Sequence, residues 1–441
     1  MKKIRTLALI AAICLALSLA FGCDEKSSDP PVSSKPEYFD YDDFGAVNAE
    51  DYRGTVVKYV FSKDPTIGTD GLPIARFEKD LGIKVEPVLI GHSTYVKTIA
   101  ASIASDTQGD VFYQYGDFPD SLSVMQPLDA AKLNLSSPFW DQSVIKASTL
   151  NGHPYLVDAK YNLRSEINVC VYNINLFKVA GLKTPEEYFA EGKWTFENFR
   201  YVAQQIEKLG KDYVGAAVHD ETVLGAAGRG FFTYKNDRVS VTADETLYER
   251  LEFFAQMKQD GLIKLDRHHF DDGRQGMALT NTYGLKRYGF FAAINPEHIG
   301  VTHLPVWNEG DKPKITSVYS GWGLIEGAKN PVAAGLFLRY YLDHNNDLDI
   351  ETHFHNQDVA RFFFEAKEAS DREMEYCIGV CANKPSLLSS KLHLSWNDHT
   401  PDELRAYLES QRPLMNEMCK KANEIIEQEI EQLKKAEKTD D

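Results

Sequence analysis

From Gly54 to Tyr115 the spacing of apolar residues switches back and forth between two periods. GTVVKYVFS (54–62) is β-branched and aromatic and predicts a strand. Gly71–Leu81 carries helical spacing, and GIKVEPVLIG (82–91) predicts a second strand. STYVKTIAASIAS (93–105) predicts a helix and DVFYQY (110–115) a third strand. A further unit opens at Glu166. EINVCVYN (166–173) predicts a strand, and NLFKVAG (175–181) a short helix stopped by Gly181. Trp194–Leu209 predicts a helix capped by Thr195, with Asn198 and Phe199 turned inward. Thr246–Gln259 predicts another, ended by Gly261. Asn330–Asp343 opens with Asn–Pro at the cap and first helical position. Asp402–Glu437 predicts a helix kinked at Pro413, with a charged tail fraying beyond it and a solvated Glu/Lys-rich end. No repeat of fixed period is present.

Strands alternating with helices imply largely parallel sheets. Ligands of such sheets bind beyond the carboxyl ends of the strands. Two α/β units facing each other make one cleft, and hinge closure is its natural motion.

The start of the chain changes the picture. Lys2, Lys3 and Arg5 precede about 15 apolar residues, against the roughly 20 that a membrane-spanning helix needs. Gly22 then stands before Cys23, and the chain turns polar. This is the layout of an export signal (1–22), and it resembles a bacterial lipoprotein signal in which Cys23 takes the lipid. Ala20 and Phe21 stand where such signals usually carry Leu and a small residue. The Ser-, Pro- and Asp-rich stretch that follows has little to bury and predicts a flexible stalk through residue 52. Its Tyr38, Phe39, Tyr41 and Phe44 are candidates for docking on the body.

With 441 residues, two or more domains are expected. The formal charge is −17, and losing the leader removes three basic and no acidic residues, giving −20. Such a surface repels phosphate backbones, which argues against nucleic acid. No second apolar run approaches spanning length, which excludes a channel or permease. Of six cysteines, Cys14 leaves with the leader, Cys23 is the anchor and Cys170 reads as a buried small hydrophobe. Cys377 and Cys381 are disulfide candidates, and with Cys419 also unassigned the pairing stays open.

Six segments occur in a telling order: FEKDLGIKVE (77–86), GDVFYQYGDFPDSLSVMQPLD (109–129), NGHPYLV (151–157), EINVCVYNINLFKVAGLKTPEEY (166–188), GRQGMAL (273–279) and SGWGLIEGAKNPVAAGLFLRYYL (320–342). Together they resemble the family of extracellular sugar-binding proteins of ABC importers, over most of residues 54–345. The resemblance implies a type II periplasmic-binding-protein-like α/β fold, each lobe a mainly parallel sheet flanked by helices. It places lobe 1 at 53–160 with 311–355 and lobe 2 at 161–310 with 356–441, with the ligand cleft between them. Residues 344–400 depart from the family pattern.

The resemblance also implies site residues. Gln114 and Asp117 match an aromatic-or-polar position and a carboxylate that contact sugar; Gln114 stands where the family's maltose binder has tryptophan, and Tyr115 is the neighbouring aromatic face. Glu166 matches a sugar-contacting glutamate, Tyr283 a tryptophan platform and Trp322 a cleft tryptophan. Phe61 and Lys63 end the first strand, where the family has an aromatic and a polar contact. The chemistry agrees: aromatic rings cover the C–H face of a sugar, and carboxylates and amides pair its hydroxyls, since an unpaired buried hydroxyl costs about 1–3 kcal/mol. In the scaffold segments, GRQGMAL is expected to put glycine where a strand enters the cleft floor.

RHHF (267–270) and HFH (353–355) offer only pairs where metal sites need three or four ligands. GAAGRG (225–230) lacks the P-loop lysine, and no Gly-x-Ser-x-Gly elbow is present. The expectation is therefore a lipid-anchored, monomeric binding protein without cofactor or metal, on the outer face of the cytoplasmic membrane. It captures a sugar or oligosaccharide and passes it to an ABC permease. An extracellular glycan hydrolase and a sugar-sensing co-receptor of a membrane kinase are the alternatives.

Overall fold

A computed structural model describes residues 47–61, 71–91, 95–115, 118–162, 167–218, 220–228, 230–264, 270, 272–282, 295–313, 320–344, 357–370 and 398–440. In chain order these form β1 (Val56–Phe61), α1 (Gly71–Leu81), β2 (Lys84–Leu89), α2 (Tyr95–Ala104), β3 (Val111–Tyr115), β4 (Met125–Gln126), α3 (Gln142–Ala147), β5 (Thr149–Leu150) and β6 (His153–Pro154). Next come β7 (Asn168–Asn173), α4 (Ile174–Ala180), α5 (Pro185–Ala190), α6 (Phe196–Glu207), β8 (Val214–Val218), α7 (Asp220–Ala227), β9 (Phe232–Tyr234), β10 (Val239–Val241) and α8 (Glu245–Gln259). The chain ends with β11 (Ile263–Lys264), β12 (Gln275–Asn281), β13 (Ile299–Thr302), β14 (Ser320–Ile325), α9 (Pro331–His344), α10 (Gln357–Ser370) and α11 (Pro401–Asp440).

Two five-stranded sheets carry the fold, in the orders β2-β1-β3-β14-β4 and β11-β8-β12-β7-β13. In the first, β2, β1, β3 and β4 run one way and only β14 runs against its neighbours. In the second, β11, β8, β12 and β13 agree and β7 is reversed. Each sheet is thus mainly parallel, with one opposed strand. That strand is the one with which the chain crosses into the sheet, β7 on the way out and β14 on the way back. A chain arriving from the cleft side enters at the carboxyl ends of the other strands and must run against them.

Local chemistry explains the elements. Asn173 caps α4 by accepting from Leu176 N, and Gly181 ends it in the left-handed region. Pro185 then starts α5 behind a capping box of Thr184 and Glu187. Thr195 caps α6, as expected from the sequence. Phe199 is buried, but Asn198 stays half-buried and donates to Lys193 O at 2.7 Å, because the first helical turn leaves that carbonyl beside it. Trp194 fixes the start of α6 by donating to His303 O. Asn330 stands immediately before α9, and its Nδ2 donates to Val56 O, tying the start of the helix to β1.

Glycine serves close packing in β8. A Cβ on Gly215 would lie 2.7 Å from both Ala203 Cβ and Ala203 O of α6. The glycine of GRQGMAL does the same: Gly276 lies at the start of β12 against Ile206, so it marks where α6 crosses the sheet rather than the cleft end of the strand.

α11 differs from its expected form. It runs unbroken through Pro413 to Asp440, without the frayed tail. Its Glu/Lys-rich end is not solvated all round, since Ala422, Ile426, Glu429 and Leu433 form a buried stripe at helical spacing. The charged residues between them had masked it. The helix packs on α8, on the β9–β10 hairpin and on the 3₁₀ turn Asp120–Val124 that follows β3. Near its start, Arg405 holds Glu245 and Glu252 of α8. Near its end, Glu429 meets Tyr155. It therefore ties segments of both sheets together. Among the described residues the cysteines are Cys170 and Cys419, both free and buried, the latter on this helix; Cys377 and Cys381 lie outside the described residues.

Candidate functional site

β3 is anchored at its base by Asp110. One carboxylate oxygen accepts from Lys58 N at 2.7 Å, and the other from Lys329 N at 2.8 Å and Asn330 N at 3.2 Å. That one buried side chain locks β1, β3 and the entry to α9, and so fixes where the opposite end of β3 emerges. There Gln114 lies opposite Gly321 and Tyr115 opposite Ser320 on β14. Tyr113 donates its hydroxyl to Ser320 Oγ at 2.8 Å, closing the same corner.

Strand alternation sends neighbours on β3 to opposite faces. Gln114 shares a face with Phe112, and is 1% exposed. Neither its Oε1 nor its Nε2 has a hydrogen-bond partner. A buried amide wanting both a donor and an acceptor costs about 1–3 kcal/mol per unpaired group, so the end of β3 is held ready for a polar ligand or for water.

Trp322 and Phe61 are placed elsewhere than expected. They point to the α9 side of the first sheet and are only 3% and 5% exposed. Trp322 packs against Tyr113, Tyr59 and Tyr341, with ring centroids 4.9, 5.4 and 5.3 Å away. Its position opposite Tyr113 puts it on the face away from Gln114, so both rings back the rim. The Trp322 Nε1–H is buried without a partner.

On the second sheet the corresponding corner is built by β7 and β12. Asn168 lies opposite Asn281. Ile167 N donates to Thr282 Oγ1 at 3.0 Å, and Thr282 N to Ile167 O at 2.8 Å. Glu166 and Tyr283 are the next residues on these two segments. They lie outside the described residues, as do Lys63, Asp117 and Cys23, and of Tyr115 only the backbone is described. Asn281 and Thr282 belong to no motif, and Asn168 and Ser320 lie in the segments 166–188 and 320–342 without a site role; their one sequence signal is a polar side chain at the end of an apolar strand.

No group of three or more His, Cys, Asp or Glu suited to a metal ion occurs among the described residues. RHH and HFH lie outside them. Cys170 is fully buried, and burial raises its thiol pKa far above the reactive range. Among the described residues no helix is long and apolar enough to cross a membrane.

Two sheets of this order, each with one opposed strand and joined by crossings, define a two-lobed binding-protein fold. Residues 67–346 match the family described as bacterial extracellular solute-binding protein, and the chain belongs to it. Solved structures agree on the fold. The sugar-binding protein MalE of Xanthomonas citri is 16% identical, with 86% of this chain and 99% of that one covered and a TM-score of 0.61. The galacto-N-biose-/lacto-N-biose I-binding protein of the Bifidobacterium longum ABC transporter, in complex with lacto-N-biose, is 15% identical, covering 82% and 97%, with a TM-score of 0.59. An ABC substrate-binding protein of Listeria monocytogenes in complex with cycloalternan is 18% identical, covering 84% and 98%, with a TM-score of 0.58. No curated protein sequence matches the chain.

Proposed function

We propose that this protein binds a sugar or oligosaccharide between its lobes and delivers it to a membrane ABC permease. The carrying observation is Gln114, a buried carboxamide at the carboxyl end of β3 with both halves unpaired. A hydroxyl both gives and takes a hydrogen bond, so a polyol answers both needs at once. An anion answers only the amide nitrogen and a cation only the oxygen. Sugar ligands in the Listeria and Bifidobacterium structures support the same reading.

Gln114, Tyr115 and Asp117 contact the ligand from one lobe, and Glu166 and Tyr283 from the other, with Lys63 at the end of β1. Phe61 and Trp322 back that surface. The lobes are 53–160 with 311–355, and 161–310 with 356–441. Contacts from both sides favour the closed form, because a ligand indifferent to closure shifts nothing. Cys23 carries the lipid that holds the protein at the outer face of the membrane. No bond is broken, so no nucleophile is required.

Calorimetric titration with a panel of mono- and oligosaccharides tests the reading. Saturable binding of at least one sugar, weakened by Gln114→Ala, is expected. Binding of a peptide or metal ion with no response to any sugar overturns it.

A further inference from the structure

We infer that Tyr234 and Asn423 are positioning residues for the ligand end of β3, acting through Phe118. The inference rests on the sugar-site reading above and adds residues that contact no ligand. It starts from a chain of contacts that leaves α11 and ends beside the site.

Asn423 grips β10 with both halves of its amide. Its Oδ1 accepts from Val239 N at 2.8 Å and its Nδ2 donates to Val239 O at 2.9 Å. Val239 lies directly opposite Tyr234 in the β9–β10 register. The turn between them has Asn236 and Asp237 both in the left-handed region, the geometry of a tight two-residue hairpin turn, and this fixes the register. Tyr234 then meets Phe118 edge to face, with centroids 5.3 Å apart and planes at 81°. Phe118 is buried, and it follows β3 directly after the short segment beyond Tyr115.

The hairpin belongs in sequence to the second-sheet helices, lying between α7 and α8. Yet it is fastened to the two-stranded β5–β6 hairpin, which follows β4 of the first sheet in the chain. The single Tyr234 hydroxyl proton has two acceptors within reach, Asp237 Oδ1 at 3.2 Å and Thr149 O at 3.4 Å, and Asn151 N donates to Asp237 Oδ2 at 3.2 Å. NGHPYLV thus gains a role, since its Asn151 receives the hairpin tip. β3 is held at its base by Asp110 and beyond its far end by Phe118, so the Gln114 amide between those two points is held in place by both.

The experiment compares the full soluble chain with Tyr234→Leu, Tyr234→Phe and Asn423→Ala. Two readouts are taken: calorimetric affinity for maltose, lacto-N-biose and cycloalternan, and hydrogen exchange of β3 and Phe118 amides in the free protein. Tyr234→Leu and Asn423→Ala are expected to speed exchange there about tenfold, leaving α1 unchanged, and to weaken sugar binding about tenfold. Tyr234→Phe keeps the ring and is expected to stay within twofold of wild type in both. Unchanged exchange in Tyr234→Leu, or unchanged affinity for a sugar that wild type binds, overturns the inference. If wild type binds none of the three sugars, the exchange readout alone decides it, and a wider sugar panel judges the site reading separately.

Discussion

Tyr155 donates its hydroxyl to Glu429 across 2.5 Å, joining the segment after β6 to the far end of α11 inside a shared core. Glu429 is only 9% exposed. Burial raises its carboxyl pKa above the usual range, against the opposing pull of the tyrosine hydroxyl. Glu326 stands close enough that its own pKa is raised, by burial first and then by the Glu429 charge. His153 lies beyond, between Asp129 and Glu437. A group whose pKa is raised by folding costs stability once it ionises. Glu429→Gln keeps the shape and the acceptor for Tyr155, so it is expected to raise the unfolding midpoint at pH 7.5 by a few degrees. The gain should vanish as pH falls through the Glu429 pKa. A variant less stable than wild type at pH 7.5 would show that the charge helps.

His303 has the opposite sign. It packs against Phe189 and Phe362 with tilted ring planes, each ring centroid 4.8 Å away, and burial lowers its pKa to about 4. The unfolded chain holds that proton more tightly, so stability is fully present above about pH 6.5 and is lost progressively down to about pH 4. The loss from this group reaches about 3 kcal/mol at 1.36 kcal/mol per pH unit. His303→Phe keeps an aromatic ring against Phe189 and Phe362 without titrating. Its denaturation midpoint is expected to lack most of this acid loss, and a profile parallel to wild type would contradict that.

Gln114 should show a trade between stability and function. Gln114→Leu removes two unpaired buried groups, and the free protein is expected to gain about 1 kcal/mol against urea. The same variant is expected to lose sugar affinity by at least tenfold, about 1.4 kcal/mol. A loss of both stability and affinity would mean that the amide is satisfied by ordered water in the free protein.

Asp110 holds three backbone N–H groups with one carboxylate. Asp110→Ala removes the acceptor of three part-buried N–H groups, and is expected to destabilise the protein by about 2 kcal/mol in chemical denaturation. Asp110→Asn should fall between, because the amide retains one acceptor oxygen.

Gly215→Ala places a methyl group 2.7 Å from a backbone carbonyl of α6. The helix cannot yield as a side-chain tip can, and a loss of about 1–3 kcal/mol is expected. Gly54→Ala has open space around its Cβ but a φ of +86°, and separates strain from crowding.

Much of the architecture was legible because period and punctuation agree. β1, β2, β3 and β7 read directly from β-branched runs, while Thr195 and Gly181 mark a helix start and a helix end by chemistry that needs no tertiary context. α11 was legible as a helix but not as a strap, since its buried stripe has few apolar members and includes Glu429, whose partner Tyr155 is far away in sequence. Trp322 misled for a related reason. Flanking glycines suggest open space, but Gly321 and Gly323 face Leu156, Val157, Tyr155 and Met125 on the opposite side of the strand. The alternation that assigns Gln114 to one face and Trp322 to the other depends on a register that only pairing with β14 reveals.

The reversed strand of the first sheet sets an order of events as the chain emerges. β4 pairs with β14 alone, and β3 shows a bare edge until β14 arrives. Some two hundred residues, including every strand of the other sheet, are made between Gln126 and Ser320. A nascent chain halted after Thr302 but before Ser320 therefore holds every strand of one sheet and lacks the strand that closes the seam of the other, so the first half of the chain to be made is the last to have its sheet completed.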